Sequence, residues 1–216
     1  MDIDECYDTI IYNIINLNKK LNTKCPNLSL RFEQLKKLPN YKDIVDFGLS
    51  EPSSDILCLY DSDQCVSNIY LDYYDNSIEI SSYTDSDYAG FKFNKLLRCV
   101  IVIICKIIKI YNPRFKVIKS AAVNHLSAFT LIKNFNVSYN SGDTDTNIIV
   151  ERLLSDVSIP LYNRIVSIYK IKLPDKKNMV LEIIILLDEY NLNQAVNIFN
   201  NLIDEGLLIC QKSVAE

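Results

Sequence analysis

Along the first segment, apolar residues fall at Ile3, Tyr7, Ile10, Ile11, Ile14, Ile15 and Leu17, close to the i, i+3, i+4, i+7 spacing of a helix with one apolar face. Acids at Asp2, Asp4, Glu5 and Asp8 load its start and Lys19 and Lys20 its end, which suits the helix dipole. A helix is predicted over 3–21. After Pro26, the run SLRFEQLKKLP spaces Phe32, Leu35 and Leu38 for a short second helix that stops at Pro39. Residues 41–55, with Gly48 and Pro52, read as a connection or a further short helix.

The grain changes at Asp55. ILCLYD, VSNIYLDYY and IEISSYT are short β-rich runs, and an Asx-led turn at Asp75-Asn76-Ser77 separates the last two. Three antiparallel strands in meander order are predicted over 55–84. A loop holding Gly90 leads into an unbroken apolar run from Phe93 to Tyr111. Its β-branched residues 100–104 suit a strand on propensity, but its length favours a buried helix ending at Asn112-Pro113.

Next come a strand over 115–121, a helix over 124–134 and a short strand over 135–140. SGDTDTN at 141–147 reads as a surface loop, 148–154 as a helical turn or two, and RIVSIYKIKL at 164–173 as a strand closed by Pro174. In the tail, MVLEIIILLDEYN and NQAVNIFNNLIDEGLLI read as two helices joined at Asn191, with Gly206 closing the second. The expected architecture is α/β (α+β): a central mixed sheet flanked by helices over 1–173, its core at 55–173. A helical hairpin over 174–216 packs on the same domain.

Composition narrows the function classes. The chain has 216 residues, a formal charge of -4 and 49% hydrophobic residues, which is ordinary globular usage. A net acidic chain argues against non-specific phosphate-backbone binding, which needs a basic surface. Lys92, Lys95, Arg98, Lys106 and Lys109 share one segment and read as the wet face of its helix. The tail run from Leu187 to Ile209 holds acids and no lysine or arginine, so a nucleic-acid-binding helix pair is not expected there.

The start is acidic rather than basic, unlike a secretory signal. Arg98, Lys106 and Lys109 interrupt LLRCVIVIICKIIKIY, leaving it short of the ~20 residues of a membrane span. A cytoplasmic protein is expected. Seven cysteines without a CxxC pair and a single histidine suggest neither a disulfide framework nor a zinc site, and fit a reducing compartment. Isoleucine and asparagine supply about a quarter of the chain, well above average usage. AT-rich codons produce such a bias, as in a large DNA virus or an AT-rich parasite.

Candidate chemistry lies in two segments. YAGFKFNKLL, from Tyr88 to Leu97, places a tyrosine, a glycine and then a leucine-rich helix in succession. AAVNHLSAFTLIKNFNV, from Ala121 to Val137, places an asparagine at the end of a strand and a lysine and an aromatic at the end of a helix. With the order of elements over 55–173, these segments resemble the core of the GNAT family of N-acetyltransferases. The first is similar to that family's pyrophosphate loop, whose backbone N–H groups at a helix start cradle phosphate while glycines permit close approach.

The resemblance implies acetyl-CoA as cofactor, with Tyr88, Gly90, Lys92, Asn94, Lys95 and Asn124 around it and an amine as acceptor. Lys92 and Asn94 stand where the family has its next two glycines. A lysine there adds a charge to a phosphate contact, and a side chain there equally blocks one. Lys133 and Phe135 match the family's helix end, whereas Leu131 stands where many members carry a tyrosine that protonates the leaving thiolate, and leucine transfers no proton.

Glu79 sits where the family often has a carboxylate that deprotonates the amine through water. Its alternation with Ile78 and Ile80 also fits a solvent-facing strand residue. His125 reads as a first-turn surface residue. The aspartates at 61, 63, 72, 75, 85 and 87 read as solvated turns, since no EF-hand glycine or closing glutamate accompanies them. Tyr70, Tyr73, Tyr74, Tyr83 and Tyr88 read as half-buried sheet faces. GxSxG, P-loop, HExxH and GxGxxG motifs are absent. Two functions remain open: acetyl transfer to an amine, or a GNAT-derived chain without catalysis that binds a protein partner or itself.

Overall fold

The computed structural model describes residues 3–34, 55–74, 76–88, 91–122, 131, 134–140 and 181–206. The expected elements over 41–54 and 141–173, and most of the helix over 124–134, lie outside them. Helix α1 (Ile3–Leu21) is followed by strands β1 (Leu28–Gln34), β2 (Asp55–Asp61), β3 (Gln64–Tyr73) and β4 (Ser77–Thr84). A single 3-10 turn (Ser86–Tyr88) leads into helix α2 (Phe93–Tyr111). Strands β5 (Val117–Ala122), β6 (Val137–Asn140) and β7 (Leu181–Leu186) and helix α3 (Glu189–Asp204) complete the order.

The seven strands among the described residues form one mixed sheet, ordered β1-β2-β3-β4-β5-β7-β6. β1 to β4 run antiparallel in the predicted meander. β4 and β5 are parallel, which requires a long crossover between them, and α2 supplies it. β7 lies between β5 and β6, antiparallel to both.

α2 packs on β2, β3 and β4 and against α1 and α3, so it needs apolar residues on most sides. Leu96, Leu97, Val100, Ile101, Ile104 and Cys105 are buried to 0% exposure, each of the larger aliphatic ones contributing about 1.5–3 kcal/mol. A polar residue at Ile104 would strand a group in the core with no partner. The long apolar run is therefore a helix because it is sandwiched, as its length predicted. Thr9 Oγ1 lies 2.8 Å from Tyr111 Oη and ties α1 to the far end of α2.

Two predicted elements are wrong in kind. The short helix after Pro26 is strand β1, whose alternate residues Leu28, Leu30 and Phe32 are buried. Its backbone pairs with β2 on one side, while α1 closes the other. The Asn18 side-chain amide both donates to Leu30 O (2.8 Å) and accepts from Leu30 N (2.7 Å), and Tyr7 Oη donates to Phe32 O (3.1 Å). These side chains cover a strand edge that would otherwise be open.

The first helix of the tail hairpin is strand β7. Its isoleucines alternate between the core (Ile183, Ile185) and the opposite face, because both of its edges find partners in β5 and β6. The tail is thus strand then helix, built into the sheet. Asn191 is not a joint but lies in the first turn of α3, and Gly206 closes that helix with φ 64°, a left-handed conformation that glycine adopts at little cost. The basic face of α2 is also corrected at one position: Arg98 is 5% exposed, packed inward instead of lying in water.

Candidate functional site: the divergence of β4 and β5

The parallel pair is short. β4 and β5 match from Ser77↔Val117 to Ile80↔Ser120 and no further. Beyond that rung β4 continues to Thr84 against β3, and β5 continues to Ala122 against β7. The local sequence accounts for the break: Ile78 and Ile80 are buried, whereas Ser81, Ser82 and Tyr83 are exposed. The sheet therefore opens at the carboxyl ends of two parallel strands, the place where open α/β sheets take ligands.

The start of α2 stands beside this opening. Lys92, the residue before the helix, holds the left-handed conformation (φ 62°, ψ 12°) and caps nothing with its side chain. A non-glycine residue there is uncommon, and the position is one where the family resemblance places a glycine. The first-turn N–H groups of Phe93, Asn94 and Lys95 have no acceptor within the helix by construction, and no acid occupies that turn. Lys92 is exposed and Lys95 half-buried, so local charge adds to the positive end of the helix dipole.

An aromatic cluster shapes the approach. Tyr88 is 4% exposed, its ring 6.1 Å from Phe91 and 5.8 Å from Phe93, while Phe91 and Phe93 stack at 5.8 Å. Its hydroxyl donates to Asp61 Oδ2 at 3.3 Å. Tyr88 thus anchors the turn between β4 and α2 in the core. Phe93, at 1% exposure, does likewise.

Asn94 reaches from the helix to the strand. Its Nδ2 donates to Ser82 Oγ at 3.1 Å, and its Oδ1 is buried with no hydrogen-bond partner among the described residues. One turn further along α2, burial drives the Arg98 guanidinium down to about 10.

Glu79 is half-buried and opposes Asp72 on β3 and Lys119 on β5. Strand alternation puts it on the face opposite Ile78, Ile80 and Ser82, and hence opposite Asn94. The structure brings Tyr88, Lys92, Asn94 and Lys95 together at the start of α2 and leaves Glu79 at the base of the gap on the other face. Gly90, Asn124 and His125 lie outside the described residues. Leu131 is fully buried.

Ser82 was missed from the sequence, and so was the burial of Arg98, which the sequence placed in water. A serine pair following Ile-Glu-Ile was the available signal for Ser82, and the i, i+4 relation to Asn94 for Arg98. Among the described residues no group of acids, cysteines and histidines forms a metal cluster, and no helix is long and apolar enough to cross a membrane.

No protein-family model and no curated protein matches the chain in sequence. Solved structures match in shape. A chimera of the spermidine N-acetyltransferase SpeG of Vibrio cholerae and hSSAT is 12% identical, with 79% of this chain and 99% of that chain covered at a TM-score of 0.42. A mutant of the same Vibrio cholerae enzyme is 13% identical over 76% and 96% at 0.42. An acetyltransferase from Streptococcus agalactiae is 12% identical over 74% and 98% at 0.38. The fold is mixed α/β, a seven-stranded sheet flanked by helices.

Proposed function

We propose that this chain binds acetyl-CoA where β4 and β5 diverge and transfers its acetyl group to an amine. The observation that carries the reading is the end of strand pairing at Ile80 and Ser120 beside a helix start with no side-chain cap and no acid. Residues and group fit in donor chemistry. First-turn amides of α2, with the Lys92 ammonium, suit a pyrophosphate. The β4 edge over 81–84 offers backbone groups to an amide-bearing arm as a neighbouring strand would, and Asn94 Oδ1 is a buried acceptor in want of an N–H.

Bound acetyl-CoA supplies an activated thioester. The chain's own part is to hold and orient it and to exclude water with the aromatic turn at Tyr88, Phe91 and Phe93; Glu79 lies on the opposite face of the sheet, so the amine gives its proton to water. Leu131 offers no proton to the departing thiolate, so solvent provides it.

The second reading, a non-catalytic protein that binds a partner or itself, is favoured by two features: the Asn94–Ser82 bridge, which narrows the opening, and Leu131. Calorimetry with coenzyme A, followed by thiol release from acetyl-CoA across a panel of amines, separates the two. Binding with turnover is expected. Binding without turnover on any amine supports the second reading, and no heat at millimolar coenzyme A sinks the first.

A further inference from the structure

Two thiols meet on the sheet face away from α2. β2 and β3 pair regularly until Leu59↔Ser67, where a bulge shifts the register so that Tyr60 opposes Cys65 and Val66 is the extra residue. In unbroken register Cys65 would oppose Asp61 and point with Val66's present face, into the α1–α2 side. The bulge turns it to the side of Cys58. There Cys58, 2% exposed, forms a small cluster with Ile56, against which Cys65, Tyr60 and Tyr70 pack.

Polar neighbours surround the pair. Arg31 opposes Cys58 from β1 and lies 4.2 Å over the Tyr60 ring, and Asn68 opposes Cys58 from β3. Cys65 is half-buried, its thiol 3.7 Å from Ser67 O. Cys65 packs against Cys58 and its neighbour Ile56. The neighbouring thiol is the largest influence holding Cys65 below the ordinary thiol range, with Asn68 adding to it, and together with burial the pairing holds Cys58 far above that range. By contrast, burial alone pushes Cys105 up and is the main cause that lifts Cys99 to about 12.

We infer that Cys58 and Cys65 form a thiol–disulfide exchange site that accepts small-molecule disulfides such as oxidised glutathione. The Cys65 thiolate attacks one glutathione sulfur, the glutathione disulfide bond breaks, and one glutathione thiolate leaves. Cys58 then gives its proton to solvent and attacks the Cys65 sulfur, releasing the second glutathione. Two protein thiols become one disulfide and one glutathione disulfide becomes two thiols, so two electrons pass from protein to glutathione. Cys58 is poorly acidic while its neighbour is an anion. Once Cys65 is capped, that opposing charge is gone and Cys58 deprotonates more readily.

The folded full-length chain is exposed to oxidised glutathione, alkylated in denaturant and digested with trypsin. Peptide 43–92 contains Cys58 and Cys65, and peptide 99–106 contains Cys99 and Cys105 as an internal comparison. The first is expected to become two hydrogens lighter and resistant to alkylation, about tenfold or more ahead of any change in the second. Cys58→Ser is expected to stop at a glutathione adduct on Cys65, and Cys65→Ser to leave Cys58 free. Full alkylation of both thiols in the wild-type peptide overturns the site, as does a stable glutathione adduct without ring closure in wild type. The wild-type arm decides the matter even where a variant fails to fold.

Discussion

Two helix starts in this molecule are built in opposite ways. At α3, Asp188 caps the helix by accepting from Asn191 N at 2.8 Å, and Glu189 places an acid in the first turn. Asn191, fully buried, accepts from Asn136 N (2.8 Å) and donates to Asn136 O and Leu186 O (2.9 Å each), joining the helix to β6 and β7. At α2 there is no side-chain cap and no acid, and Lys92 sits in a strained conformation. The first end is closed by the protein's own groups and serves structure. The second has neither a side-chain cap nor an acid in its first turn, and it stands beside a sheet that comes apart.

That contrast breaks most visibly at Asn191. Asn191→Leu leaves buried partners at Asn136 and Leu186 unsatisfied, each costing roughly 1–3 kcal/mol. A loss on the order of 3 kcal/mol is expected in urea unfolding, with coenzyme A affinity per folded molecule unchanged. An affinity loss without a stability loss would invert the assignment of the two ends.

At the open end the effects should be exchanged. Lys92→Glu is expected to weaken coenzyme A by about tenfold and to leave the unfolding midpoint in place. Lys92→Gly should also lose affinity yet gain up to about 1 kcal/mol of stability, because glycine accepts φ 62° without the penalty a side chain incurs. Equal affinity for wild type and both variants, measured by calorimetry, would remove the phosphate role.

Asp188→Ala, which removes a side-chain cap, should cost about 1 kcal/mol in the same urea experiment. Smallest of all is Glu189→Gln. The Lys106–Glu189 pair is 2.6 Å long but Glu189 is 73% exposed, and such pairs are worth at most about 1 kcal/mol. Added salt should mimic the substitution.

Much of the fold was legible from spacing alone. The meander over 55–84 and the strand over 117–122 follow from short β-rich runs bounded by turn residues, and the helix from Phe93 to Tyr111 from the length of one apolar run, all with partners near in sequence. β1 and β7 were not legible. The run around Phe32 supports a helix at Phe32, Leu35 and Leu38 and a strand at Leu28, Leu30 and Phe32 equally well, and Asn18 on α1 and the edge of β2 decide between them. LEIIIL carries no period at all, and it became a strand because β5 and β6 lie on either side of it.

The same division runs through the candidate site. Sequence by itself determined which residues stand at the start of α2 and that Ile-Glu-Ile gives way to Ser-Ser, because those are local facts of order and polarity. Only the tertiary structure decided that pairing stops at Ile80 and Ser120, that Asn94 reaches Ser82, that Glu79 faces away from both, and that a bulge turns Cys65 onto Cys58. Each depends on the register between strands, and register is set by what neighbours bury together, which no single stretch of chain contains.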